Sequence, residues 1–509
     1  MKKPLFWAWV LAGAACTSAG TARSRAPGDD FPMSDPAEYR SKELSAEAGG
    51  FYFGRAGAGD PYATGMAYPV FLALMEAYPD QLGRDWNEFA QRFGFIPDPA
   101  AKGSPAAVPV GFHLTPDPDT GVPWLVGNCE MCHAERLRLE SGDVVVPGLG
   151  NTRARPHAYA NALFRIARSG TLDARRLEAL ATDRAEAWHV PWPIAMRGPV
   201  VRATLDGLKA LGAARGPGSA RFEVALPGRV ATIESFALAM EPYRHRPVET
   251  GKAVGWAKIP DIVGFPYRET FSYDASGFGA PSALVAEANF LFGARPRWYL
   301  SHPGIATSMY LYLQGFHRTL RYPGRLDASL ATQGKAMFAA KCSGCHGLYE
   351  ERDGEQWVSY RERVVPIDTV GTDRARLDAV TPDFVDAANA LPFGQGYVQT
   401  RKTNGYVPPV LLNVWARGLL GHAGQWPSIE VLATPPQERP VKFIVDTEGP
   451  YDVARLGVRY ERVVAPRPLR AGEYLYDGEG PGYGVGGHPF LSRLGAADRR
   501  AVVEYLKTL

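Results

Sequence analysis

The sequence predicts a mainly α chain of two domains, elaborated by long loops and minor strands. Three observations lead there. A length of 509 residues is enough for two cores rather than one. Apolar residues recur at helical spacing in several separate runs. Gly (55) and Pro (43) are both abundant, which calls for long irregular segments between those runs.

Along the chain, Lys2 and Lys3 precede the apolar run FWAWVLAGAA at 6–15, and small residues follow. This is the pattern of an export signal over residues 1–20, too short for a membrane helix. Cleavage before Cys16 would instead leave a lipid-anchored protein on the outer membrane. After an N-terminal extension (21–60), residues 61–325 form the first domain. Residues 61–95 read as two helices interrupted near Pro79. Amphipathic helices are expected at 155–170 and 201–214, and a short strand or loop followed by a helix at 221–240. Residues 241–299 are rich in Pro, Gly and aromatics and suit the lining of a cleft. Helical pattern returns at 305–320. The second domain, 326–509, opens with a helix and closes with AADRRAVVEYLKTL. There Ala497, Val502, Val503 and Leu506 suggest an apolar stripe. No later run approaches the length of a membrane span.

Charge excludes some partners. The 56 basic and 53 acidic residues nearly cancel, so no field favours nucleic acid or an anionic membrane.

Apart from Cys16, every cysteine lies in one of two C-x-x-C-H motifs, Cys129 to His133 and Cys342 to His346. A four-thiolate zinc site or a thioredoxin-like pair would leave both histidines without a role. Neither motif follows a clear strand in the sequence, as a thioredoxin-like pair requires. Covalent attachment of a c-type haem uses every residue of the motif. Cys129, Cys132, Cys342 and Cys345 would hold two such haems, with His133 and His346 as proximal iron ligands. The domains then read as two cytochrome c-like haem domains.

Opposite His346, the favoured ligand is His422, in LLGHAGQWPSI, with His488 in GGHPF as a second candidate. The last methionine, Met337, precedes the second motif, so His/Met ligation is disfavoured there. For the first haem His157, His189, His113 and Met131 compete weakly, and an open site is expected. Chemistry is therefore expected at the N-terminal motif and a redox relay at the other.

Motif order, the segment PPVLLNVWARGLLGHAGQWPSIEVL at 408–432, VGTD at 370–373 and the closing EYLKTL resemble the di-haem peroxidase superfamily. Within it, LVGNCEMCHAER at 125–136 and the long aromatic insertion between the motifs resemble the exported di-haem oxygenases of polyisoprene and fatty acids. That resemblance implies dioxygen at the N-terminal haem and bis-histidine ligation at the second. The peroxidases of the superfamily also hold calcium between the haems near the 408–432 segment, and the altered residues here leave that ion open. Two positions depart from the superfamily pattern. Leu420-Gly421 stands where Pro-Tyr is usual, and Pro436 where a ligating Met or Tyr is found in the peroxidases.

The expected function is therefore oxidation of an apolar alkene, a polyisoprene or an unsaturated fatty acyl chain. Phe265, Tyr267, Phe271, Tyr273 and Asp274 are the candidate pocket residues. Two alternatives stand beside it. One is peroxide chemistry, with an acid–base group such as Glu130, Glu135 or Glu140. The other is electron exchange with a small periplasmic carrier.

Overall fold

A computed structural model describes residues 45–54, 65–98, 108–117, 120–214, 225–280, 285, 290, 303–317, 320–352, 355–394 and 398–509. The expected export signal and Cys16 lie outside the described residues. Helix is the larger share, but the fold is mixed: several separate sheets of two or three strands accompany it. Among the described residues, no helix is long and apolar enough to cross a membrane.

The N-terminal core starts with the helix Tyr68–Ala77, buried from Tyr68 to Met75 because its sequence is apolar all round. Next comes Trp86–Phe93. Asp85 caps its start by accepting from the Glu88 N–H, and Gly94 ends it in the left-handed conformation. Its aromatic face meets Phe71, Phe95, Phe112 and Tyr159, mostly edge to face. Between these helices lies a third, short one, Pro79–Leu82, so Pro79 starts a turn of helix rather than only breaking one. Pro156–Arg168, Ala174–Ala187, Ile194–Ala214 and Thr232–Arg244 follow near the expected positions.

One expectation about the motifs is corrected. The first motif does follow a strand, Pro123–Gly127, the centre of an antiparallel sheet with Gly65–Ala67 and Phe112–Pro116. The strand is short and mostly buried, which hides the alternation that would reveal it. Its antiparallel setting differs from the βαβ frame of a thioredoxin-like pair.

In the second half, Ala328–Lys341 packs along the terminal helix Ala496–Leu506. The buried stripe there is Ala501, Val502, Tyr505 and Leu506, whereas Ala497 is exposed and Val503 half-buried. Gly334 permits the close approach, because a Cβ there would lie 1.9 Å from the Ala501 carbonyl oxygen.

The two cores exchange segments. The hairpin Ala134–Leu139/Gly142–Pro147 follows the first motif, yet its Leu137 and Val146 join the C-terminal core around Trp415 and Val410. Conversely, Phe384, Ala387 and Ala388 of the helix Pro382–Asn389 join the N-terminal core. The apolar core thus crosses the boundary expected at residue 325.

Candidate functional site

The two motifs fold alike. Each starts at a cysteine that leads into a single helical turn, Glu130–His133 or Ser343–His346. The histidine N–H returns to the first cysteine's carbonyl, at 2.8 Å for His133 and 3.0 Å for His346. Each imidazole then sets its Nδ1 against a proline carbonyl: Pro260 for His133 and Pro409 for His346, both at 2.9 Å. A carbonyl only accepts, so Nδ1 carries the proton and Nε2 keeps the lone pair. Burial holds both rings below the usual histidine range, His133 at about 4.

Tight glycines seat the motifs. Gly111 (φ +91°) presses on the first turn, and a Cβ there would lie 2.1 Å from the Met131 Cα. Gly347 (φ +79°) turns the chain out of the second. Asn128 fixes the first turn from the other side, accepting from Glu130 N–H and donating to the Gly54 carbonyl.

A cavity of about 310 Å³ opens at the second motif. Cys342, Cys345, His346, His422, His488 and Tyr406 are among its walls. The histidine ring in contact with His346 is His488, with 6.2 Å between centroids and the planes tilted by 55°. His422 lies in the same wall, stacked on Tyr406 at 4.5 Å. Both are held from behind. Arg229, fully buried, donates to the carbonyls of Ala423 and Gly424, and the Lys258 N–H to that of His422. Arg439 donates to the carbonyls of Gly487 and His488. His422 Nε2 and His488 Nδ1 are buried without a hydrogen-bond partner. Burial pushes both imidazoles down to about 3, so they are neutral at neutral pH.

A second cavity, of about 140 Å³, lies next to it. Phe265, Phe271 and Tyr273 line it, as does Pro260, the residue that holds His133. The two cavities share Lys258, Asp261, Tyr273, Val407 and Pro409. Two other pocket candidates are placed differently. Tyr267 packs against the C-terminal core. Asp274 is buried in an ion pair with Arg376 at 2.9 Å and accepts from Ser272 and Ser276. The first motif's competing groups also have structural places. His157 Nε2 accepts from the Ala231 N–H, Met131 is buried inside the motif turn, and His189 is exposed.

The cofactor expectation is corrected. Among the described residues, no group of three or more His, Cys, Asp or Glu side chains comes together to hold a metal ion. The four cysteines of the motifs are free. Burial pushes Cys129 and Cys132 up to about 12 and Cys342 to about 11, so these thiols stay protonated at neutral pH. Nearby carboxylates are engaged with cations: Glu135 with Arg153, Asp274 with Arg376, and Asp261 with Lys258 and Arg417. Two covalently bound c-type haems with calcium between them are therefore not carried forward.

No protein-family model matches the chain. It is similar to the uncharacterized protein y4iJ of Sinorhizobium fredii (strain NBRC 101917 / NGR234), 25% identical over 244 residues. That match covers 36% of this chain and 40% of the relative's length.

Proposed function

We propose that this protein is an exported oxidoreductase that uses dioxygen to oxidise an apolar alkene. The substrate's double bond would sit in the cavity of Phe265, Phe271 and Tyr273, which is also lined by Pro260, the carbonyl partner of His133. The observation that carries the reading is the shared wall. An aromatic cavity suited to an apolar chain abuts a chamber faced by three neutral imidazoles. Motif order and the 408–432 segment support a relationship to the di-haem peroxidase superfamily and its exported oxygenases. Their covalent cofactors are not part of the proposal.

Peroxide chemistry is less favoured by the site. Glu135, one of its candidate acid–base groups, is buried against Arg153 and accepts from the Thr152 N–H at 2.6 Å. Both of its oxygens already accept hydrogen bonds, from the Arg136 N–H, the Arg153 guanidinium and the Thr152 N–H, so it is committed to structure rather than placed to shuttle a proton.

The test is to incubate the full chain with squalene or oleate, in air or with hydrogen peroxide under argon, and to analyse products by mass spectrometry. Oxidised product in air supports the proposal. Product only with peroxide supports the peroxidase alternative, and no product under either condition contradicts both.

A further inference from the structure

The wall between the two cavities is built from charged groups that do not balance. Lys258 and Asp261 line both cavities, and Arg417 lines the larger. All three side chains are largely buried, at 11%, 12% and 4% exposure. Asp261 takes Lys258 Nζ at 3.4 Å on one oxygen and Arg417 at 3.1 Å on the other. With both cations protonated, this set carries one buried positive charge more than Asp261 offsets, and burial accordingly pulls the Lys258 ammonium below its usual range.

Other charges facing these cavities are matched or open to water. Arg268 is paired with Glu362 at 2.5 Å and Arg376 with Asp274 at 2.9 Å, while Lys341 is exposed. The histidines are neutral, as described above. Arg229, behind the wall, adds to the positive field: its guanidinium donates to backbone carbonyls and the Tyr474 hydroxyl and lies over the Tyr474 and Tyr476 rings, and among the described residues no carboxylate pairs with it. Two donors in the wall are also under-used. Lys258 Nζ makes one long contact for its three N–H groups, and Arg417 Nε is buried without a partner. A buried charge left unmatched in an apolar wall is costly until an anion reaches it.

We infer that Lys258, backed by Arg417, is a subsite for a single carboxylate carried by an otherwise apolar guest. This deepens the proposed function, on which it rests, by favouring an unsaturated carboxylic acid over a neutral hydrocarbon polymer. The carboxylate would complete the charge balance and accept the unused donors. The apolar chain would extend from it along either cavity.

Fluorescence titration of the full chain with cis-parinaric acid and its methyl ester tests the inference. The acid is expected to bind roughly tenfold tighter than the ester. Lys258→Gln, which brings the wall to zero charge, is expected to remove that preference while leaving ester binding in place. Asp261→Asn, which raises the wall to two positive charges, is expected to tighten acid binding and leave the ester unchanged. Unfolding does not produce a selective gain of that kind. Equal affinity for acid and ester in the unaltered chain, or a preference that survives Lys258→Gln, overturns the inference alone. Failure of both probes to bind overturns it together with the apolar-cavity reading.

Discussion

His346 and His488 both line the C-terminal chamber, with 6.2 Å between their ring centroids and their planes tilted by 55°. They lie far apart in sequence, and different devices hold them. His346 stands on a one-turn helix with Nδ1 on the Pro409 carbonyl. His488 stands in a glycine-rich loop, at φ 47°, with its carbonyl on Arg439 and its N–H on the Val370 carbonyl. With His422 they make one wall set of neutral rings.

These rings make stability depend on acid. In the unfolded chain a histidine titrates near 6.5, whereas His422 is held near 3 by burial. Between those values the unfolded state binds the extra proton. Stability is therefore full above about pH 6.5 and falls as pH drops toward the folded value, by about 1.4 kcal/mol per pH unit for one such group. Denaturant unfolding from pH 7 to 4 should show this slope. His422→Asn should reduce it, and an unchanged slope would remove His422 as a cause.

Arg229 should be far more important to the chamber than its distance from the motifs suggests. Its guanidinium serves the carbonyls of Pro227, Ala423 and Gly424 and the Tyr474 hydroxyl in a fully buried site. Arg229→Met should cost about 3 kcal/mol or more, since it strips partners from several buried polar groups at once. Thermal unfolding checks this. A loss below about 1 kcal/mol would show that the His422 loop is held by other contacts.

Gly111→Ala should damage the first motif specifically. The position has a left-handed φ, and the added methyl would meet the Met131 backbone. A loss of about 2 kcal/mol or more is expected from strain and overlap together. Gly142→Ala is the control. It also has a positive φ, but open space surrounds its Cβ, so only the conformational cost of about 1 kcal/mol should appear.

The correction of the covalent cofactors is tested by counting thiols. Denatured protein treated with iodoacetamide should show alkylation at Cys129, Cys132, Cys342 and Cys345, the four free cysteines of the structure. Unlabelled cysteines carrying added mass would reverse the correction.

Some of this was legible in the sequence and some was not. Both motif turns were, because the residues of each lie within five positions and close on themselves through local hydrogen bonds. His422 and His488 were visible as glycine-flanked histidines. Which of them contacts His346 is decided by Arg439 and Arg229, long-range contacts that no local pattern reveals. The aromatic insertion divided in the same way. Phe265, Phe271 and Tyr273 meet at one cavity, whereas Tyr267 turns to the other core and Asp274 to Arg376. The exchange of segments between cores was hidden too. Alternation in the hairpin shows that one face is buried but not against what.

The most direct test of the proposed function is isotopic. The full chain is incubated with an unsaturated substrate under ¹⁸O₂ in ordinary water, and the product's mass is measured. The account predicts ¹⁸O in the product at the former double bond. Product without the label, or no oxidised product at all, would contradict it.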